Sequence, residues 1–449
     1  MFPRSILSEL RKWAQKEERK PLILRGARQV GKTTVVNQFA EEFDEYLSLN
    51  LEKPEDSQLF TSYTDIPNLI RSIFFIKNKK YDPQKRTLIF IDEIQQVPEA
   101  LNILRYFYEE TPQLYIISAG SMLETIFNEK LSFPVGRVEY MVVRPASFPE
   151  FLGAIGETAA LEEIKNIPVR NYASKKLFDL FHTYALIGGM PEAVAVYAKT
   201  RDLISLKSIY ESLIISYMDD VEKYARNAKQ TDIIRHTIRS AFSSAGKRIT
   251  FEGFGNSSYG SREIGEALRA LEKAFFLTLI YPNTEATLPL LPNLRKKPRL
   301  QLLDSGMINY FTGIQKEILG TADLQKIHEG MLIEHIIGQE LLATQYSALN
   351  TLNFWTNEKK SSQAEIDFLW QHSSKLVPVE VKSGAAGKLK SLHQFMDLAP
   401  HNIAIRFYSG EFADTMVSTP GSGKSFRLLN LPYYLGSQID GYVEWMLRD

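Results

Sequence analysis

Apolar positions in this chain follow two rhythms, and the places where one gives way to the other mark its parts. Near the amino end, short unbroken apolar runs alternate with segments of helical spacing. Leu22-Ile-Leu24 reads as a buried strand and Arg86-Thr-Leu-Ile-Phe-Ile-Asp92 as a continuous apolar one, with Leu114-Tyr-Ile-Ile-Ser-Ala-Gly-Ser121 and Val138-Glu-Tyr-Met-Val-Val143 as further strands. Glu45-Tyr-Leu-Ser-Leu-Asn-Leu-Glu52 alternates as a half-buried strand, and Thr34-Val-Val-Asn-Gln-Phe-Ala40 has helical spacing. Strands alternating with helices predict an α/β domain on a parallel sheet. Beyond Phe151 the spacing is helical to about Arg239, broken at Gly188-Gly189-Met190-Pro191-Glu192, where glycine closes one helix and proline opens the next.

From Arg248 to Leu303 the pattern changes again. A Gly/Ser-rich stretch precedes a helix with Ser261 as its N-cap, then a strand over Phe275–Tyr281, a loop carrying Arg295-Lys-Lys-Pro-Arg299, and a strand over Leu300–Asp304. Helix, strand, basic loop, strand is the outline of a winged helix-turn-helix. There Arg262 and Arg269 would face a nucleic-acid groove while Arg295, Lys296, Lys297 and Arg299 contact phosphates; the bland alternative is a charged hairpin tip that keeps a sheet edge soluble. The last part reads as a helix (Gly330–Leu342) followed by strands at Asn353–Thr356, Ala364–Trp370 and Lys375–Lys382. The expected division is 1–155, an α/β domain on a parallel sheet; 156–245, a helical lid or linker; 246–315, a winged-helix-like domain; and 316–449, a second α/β domain.

Chemistry enters with Gly26-Ala-Arg-Gln-Val-Gly-Lys-Thr33, the spacing G-x-x-x-x-G-K-T between a strand and a helix. Glycines let successive N–H groups of Gly26, Ala27, Arg28, Gln29, Val30 and Gly31 converge on phosphate oxygens, and the helix N-terminus at Lys32, Thr33 and Thr34 adds partial positive charge. Lys32 would reach the terminal phosphates and Thr33 would ligate Mg²⁺. At the end of the strand Arg86–Asp92, Asp92 would share that Mg²⁺ and Glu93 would act as general base on water. Ser121, with Ser118 as alternative, would sense the terminal phosphate. Arg137 would be an arginine finger, in cis or from a neighbouring subunit of a homo-oligomer, or else a plain surface arginine.

A second constellation lies near the carboxyl end. Glu334 on a helix, Asp367 on a strand, and Glu380-Val-Lys382 on the next strand match the layout of PD-(D/E)XK nucleases. Asp367 and Glu380 would share a second Mg²⁺ or Mn²⁺ with Glu334 as outer ligand, and Lys382 would steady developing charge. Glu365 lies on the same strand face as Asp367 and would support it, and Lys388 and Lys390 would engage phosphates. The alternative is a salt-bridged pair of strands in a half-buried sheet.

Composition narrows the classes. Cysteine is absent from the 449 residues, which removes disulfides, thiolate metal sites and a cysteine nucleophile and fits a cytoplasmic setting. The 53 basic and 53 acidic residues balance, so a nucleic-acid partner has to be argued from local patches. No apolar run approaches the roughly 20 residues that span a bilayer, and none of the seven histidines forms a zinc-hydrolase pair.

In sequence, G-A-R-Q-V-G-K-T-T, L-I-F-I-D-E-I-Q, A-G-S, G-R-V and R-P-A-S-F-P-E-F together resemble a bacterial AAA-type ATPase family whose members carry a carboxy-terminal domain of unknown function. That resemblance implies an ATPase domain, a winged helix in the middle and a nuclease-like end. The chain departs from the family at Ala119-Gly-Ser121, where members usually have threonine before Gly-Ser. Three readings follow: an ATPase whose turnover governs nucleic-acid engagement and metal-dependent cleavage; an ATP-controlled binding or regulatory module with a non-cleaving end; and a phosphotransferase acting on a small acceptor. The Asp92-Glu93 pair favours water as acceptor over the third.

Overall fold

A computed structural model of the chain describes residues 2–62, 65–120, 136–221, 225, 227–313, 331–357, 364–384 and 389–448. Its first sheet is wholly parallel, formed by β1 (Leu22–Arg25), β2 (Glu45–Asn50), β3 (Thr87–Asp92), β4 (Tyr115–Ala119) and β5 (Glu139–Val142) in the order β2-β3-β4-β1-β5. Leu88 and Phe90 of β3 pack into one core, Ile89 and Ile91 into another. Burial on both faces is why β3 reads as an unbroken apolar run. One face is covered by the helices Pro54–Thr61, Ile66–Ile76 and Pro98–Glu110, each with proline in its first turn. The other packs on Ile6–Ala14 and Lys32–Ala40, and its core runs on into the middle of the chain.

The middle begins with the helices Ser174–Ile187, Pro191–Thr200, Lys207–Asp219 and Ala228–Ser243. The break at Gly188-Gly189 is the expected helix–helix turn, and Gly189 is required there. A Cβ at that position would lie 2.1 Å from the Ala146 carbonyl oxygen. The helix Ser261–Lys273 is followed by β6 (Leu277–Ile280), β7 (Pro282–Asn283) and β8 (Arg299–Leu302), with β6 and β8 antiparallel. Gly260, not Ser261, is the N-cap; the Ser261 amide and hydroxyl both donate to Glu252 instead.

The last part is α/β. β9 (Phe354–Thr356) and β10 (Glu365–Ile366) form a three-stranded sheet with β7, so the loop between β6 and β8 is stitched into the next unit. β11 (Phe368–His372), β12 (Lys375–Val381), β13 (Ile403–Tyr408), β14 (Ala413–Ser418) and β15 (Ser425–Pro432) form a mixed sheet in the order β11-β12-β13-β15-β14. The expected single strand through Asp367 is broken at that residue, where the chain crosses from one sheet to the other. No described helix is long and apolar enough to cross a membrane.

A buried polar cluster joins these parts. Glu340, on the helix Met331–Ala343, accepts the Phe148 amide at 3.0 and 3.2 Å through its two oxygens and stands 2.6 Å from the Tyr184 hydroxyl. Tyr184 also donates to the Ala146 carbonyl at 2.9 Å, and Gln339 donates to Tyr184 at 3.1 Å. One hydroxyl hydrogen cannot serve both acceptors, so a proton on Glu340 completes the pair. Full burial pushes Glu340 up to about 7, against the hydrogen bonds that favour its charged form. Asp304 nearby is pushed up to about 6 by burial, although it accepts the amides of Gly189 and Met307.

A carboxyl raised on folding binds its proton more tightly in the native state, so its contribution to stability is whole below about 4.5 and lost as pH rises through about 7. For Glu340 alone this amounts to on the order of 3 kcal/mol between those limits. Melting temperatures followed from pH 5 to 9 are expected to fall for the wild type. Glu340→Gln should flatten that decline; a slope unchanged in the variant would contradict the assignment.

Candidate functional site

The loop after β1 is shaped by residues with positive φ. Gly26 (φ 138°) has no room for a side chain, because a Cβ would lie 2.3 Å from the Val143 carbonyl oxygen. Gln29 (φ 59°) and Gly31 (φ 90°) complete the curl, and Gly31 caps the helix Lys32–Ala40. Lys32 is buried, and its Nζ donates to the carbonyls of Gly26 at 3.0 Å and Ala27 at 2.8 Å. Burial lowers its pKa to about 8, with Glu93 and Asp92 acting in the opposite sense. Parallel order brings the end of β3 to the same edge of the sheet. There the Thr33 hydroxyl donates to Asp92 Oδ2 at 2.7 Å. Burial raises the pKa of Asp92, partly offset by that bond.

Glu93 follows with φ 52°, a left-handed conformation that costs a non-glycine residue about 1 kcal/mol or more. Its amide donates to Asp92 Oδ1 at 3.0 Å and its carboxylate receives the Gln95 side-chain amide. A cavity of about 650 Å³ opens over this edge, and its lining includes Lys32, Thr33, Thr34 and Glu93 together with Phe2, Pro191, Ala195 and Lys199. That volume suits a nucleotide-sized ligand. A loop that only glycine can form, a buried ammonium among carbonyls, and a hydroxyl–carboxylate pair fit a triphosphate with its magnesium ion.

Several wall residues are not legible as such in the sequence. Pro191 reads there as a helix start, yet it stands against the loop, and a Cβ on Gly31 would lie 3.5 Å from its ring. Glu192 lines the same cavity. Arg4, almost fully buried, ties the loop to the next segment, donating to the carbonyls of Val30 at 3.1 Å and Arg144 at 2.7 Å and pairing with Glu150 at 3.1 Å. Arg28 pairs with Asp220 at 2.6 Å. The G-G-x-P-E run is the available signal for the second wall, but nothing in its spacing distinguishes a pocket wall from a plain turn.

The expected phosphate sensor Ser121 lies outside the described residues, and Ser118 is buried within the sheet beside the Leu22 carbonyl. The expectation of a cis arginine finger at Arg137 is corrected by the fold. Arg137 precedes β5, whose first residue Glu139 is level with Leu22, so it sits at the sheet edge remote from the loop and is paired with Glu109 at 2.9 Å.

Nearer the carboxyl end of the chain, Glu334, Asp367, Glu380 and Lys382 do come together. Lys382 pairs with Glu380, and Asp367 Oδ2 accepts the Val381 amide at 2.7 Å. Burial, then the neighbouring Asp367 charge, pushes Glu334 up to about 7 and Glu380 up to about 8; burial raises Asp367 as well. Arg299 lies among them, which corrects its expected role as a phosphate contact. It opens β8 rather than the loop, is 6% exposed, and reaches Glu334 at 3.5 Å, Asp367 Oδ1 at 3.6 Å and Glu365. Its Nη1 also donates to the Asp367 carbonyl at 3.2 Å. Burial works against its charge, but Asp367, Glu365 and Glu334 outweigh it and raise its pKa. Arg248 pairs with Glu365 at 2.9 Å. Among the described residues no three His, Asp or Glu side chains are disposed to hold a metal ion, so the expected second metal centre is here a guanidinium centre. Arg262, Arg269, Arg295, Lys296 and Lys297 are exposed, with Arg262 on Glu266 at 3.1 Å. Lys388 lies outside the described residues; Lys390 opens the helix Lys390–Leu398.

Three family models match in succession: an AAA domain over residues 18–152, a domain of unknown function (DUF8612) over 178–318, and a second domain of unknown function (DUF4143) over 329–427. No curated protein matches the chain. Among solved structures it is similar to the Walker-type ATPase PABY2304 of Pyrococcus abyssi, at 15% identity over 70% of this chain and 96% of that one, TM-score 0.45. It is also similar to the Thermotoga maritima RuvB Holliday junction branch migration motor, at 15% identity over 62% and 90%, TM-score 0.27. A third, the STAND protein PH0952 of Pyrococcus horikoshii, shares 11% identity over 76% and 49%, TM-score 0.28.

If the cavity holds the nucleotide, filling it from the helix Pro191–Thr200 must expel the ligand. Ala195→Trp is expected to weaken ATP binding, measured calorimetrically, by at least about tenfold with the melting temperature little changed.

Proposed function

We propose that this protein binds and hydrolyses ATP and engages nucleic acid through the basic loop and helix of its middle part. The observation that carries the first half is the Thr33–Asp92 hydrogen bond beside a buried Lys32. These are the groups that would hold magnesium and the terminal phosphates. Bound magnesium would neutralise charge developing on the phosphoryl oxygens. Lys32 exchanges the loop carbonyls for phosphate oxygens, a trade that restores a full counter-charge to a buried ammonium. Glu93, held apart from Asp92 by its left-handed backbone, takes the water's proton. Pro191, at the start of a helix whose other end leads into the middle of the chain, would report occupancy of the pocket to those parts.

A second reading is an ATP-controlled binding module whose last domain does not cleave. The position of Arg299 among the carboxylates favours it, since a guanidinium there supplies charge but no activated water.

Lys32→Ala should abolish ATP binding. Glu93→Gln should keep binding and lower turnover at least about 100-fold, the usual effect of losing a general base; hydrolysis that persists in both removes the ATPase reading. For nucleic acid, replacing Arg295, Lys296 and Lys297 by alanine is expected to weaken a gel shift on DNA. The log–log salt slope should fall by roughly 1 for each phosphate the variant no longer neutralises. Binding and slope unchanged in that variant would leave the loop without such a role.

A further inference from the structure

Beside the basic loop lies another cavity, of about 600 Å³, within the size range of ligand pockets. Leu290 and Pro292, from the loop between β7 and β8, form part of its lining. The rest comes from the chain after the helix Met331–Ala343, from β11 and the turn after it, and from the start of the helix Ile439–Arg448. The polar lining residues are mostly uncharged: Gln345, Asn350, Asn353 and Gln371 carry amides, and Thr351 and Ser373 carry hydroxyls. No lysine or arginine is among the described lining residues, and their one acid, Asp440, already accepts the Trp370 indole N–H at 2.9 Å. A phosphate would meet no counter-charge in such a cavity, whereas a neutral ring edged with donors and acceptors would find partners for both. Gln345 Oε1 is buried without a hydrogen-bond partner among the described residues, so an acceptor of this lining lacks a donor that a ligand N–H would supply.

Cations follow directly. Arg295, Lys296 and Lys297 come three to five residues after Pro292 and are exposed. The turn between is tight: the Lys296 amide donates to the Asn293 carbonyl at 3.1 Å and the Arg295 amide to Asn293 Oδ1 at 3.1 Å. The Asn293 amide donates in turn to the Pro282 carbonyl of β7 at 2.8 Å. β7 pairs with β9, and Asn283 Nδ2 donates to Asn353 Oδ1 at 3.1 Å, so the loop is fixed to the segment that carries Asn353. Cavity and cations are therefore held together before any ligand arrives, which lowers the ordering cost of binding.

We propose that the nucleic acid bound at the basic loop is single-stranded and that this cavity takes one unstacked base of it. The proposal rests on the reading of Arg295, Lys296 and Lys297 as phosphate contacts. Exposed cations beside an uncharged, hydrogen-bonding cavity match a strand whose backbone and bases are separately accessible. Its phosphates meet the cations and a base edge meets the amides. A base within a duplex is stacked and paired, and has to be extruded before it can enter. DNA and RNA single strands share this chemistry.

The test measures binding of the full-length protein to labelled oligonucleotides of equal length by fluorescence anisotropy. The probes are single-stranded DNA, single-stranded RNA, duplex DNA and a strand of abasic sites. The wild type is expected to bind one or both base-bearing single strands at least about tenfold more tightly than the duplex and the abasic strand; the preferred strand tells DNA from RNA. Asn350→Leu combined with Gln371→Leu, both at exposed positions, removes two amides from the lining. It is expected to weaken single-strand binding about tenfold, as for two ordinary hydrogen bonds, and to leave abasic binding unchanged. Should that protein not fold, Gln371→Leu alone is expected to weaken it about threefold. Equal affinity for base-bearing and abasic strands overturns the proposal, as does unchanged single-strand affinity in the folded variant. Equal binding of all four probes that is still weakened by replacing Arg295, Lys296 and Lys297 with alanine overturns the proposal and leaves the loop reading standing. Binding of none of them overturns both.

Discussion

The packing of one helix, Met331–Ala343, constrains most of the structure. Glu334 meets Arg299, His335 accepts the β8 backbone, Gln339 accepts the Ser305 amide, and Glu340 accepts the Phe148 amide. A helix apolar nearly all round has no solvated stripe to spare, so each polar residue on it must find a partner in another part of the chain. Those partners come from the ATPase-like sheet domain, the helical segment and the β6–β8 unit. The polar contacts on this helix thus specify how the parts of the chain sit together, at the cost of carboxyl groups that hold their protons near neutrality.

The nucleotide pocket is tied to the same junction. Gly189 donates to Asp304 and its carbonyl receives the Ala146 amide, while Pro191 two residues on touches the phosphate loop. Asp304 also caps the helix Ser305–Thr312 and lies five residues beyond Arg299. A wall of the candidate ATP site and Arg299 of the carboxylate cluster are therefore joined through the Gly189–Asp304 hydrogen bond. This is continuity of structure; coupling between the sites is an energetic quantity and needs its own measurement.

Much of the architecture is legible along the chain. The strand–loop–helix around Lys32 and the apolar strand ending in Asp92-Glu93 follow from local rules: both faces of a parallel strand are buried, and only a loop rich in glycine makes the turn. The turn at Gly188-Gly189 and the gathering of Glu334, Asp367, Glu380 and Lys382 are also readable. Arg299 is not. As the last residue of a basic run it looks like its neighbours, and what separates it from Arg295 is that β8 starts at Arg299 and pairs with β6. Arg137 misleads in a similar way: its position along the chain relative to β5 does not say which edge of the sheet it joins until strand directions are known.

The amino-acid sequence by itself determined the elements and the local chemistry, because glycine conformations, strand burial and helix starts depend on neighbours a few residues away. Tertiary structure alone decided which charges meet. Arg299 and Asp367 are 68 residues apart, and Phe148 and Glu340 are 192 apart. Coulomb and desolvation energies depend on distance in space and on burial, and neither is encoded in the spacing of residues along the chain.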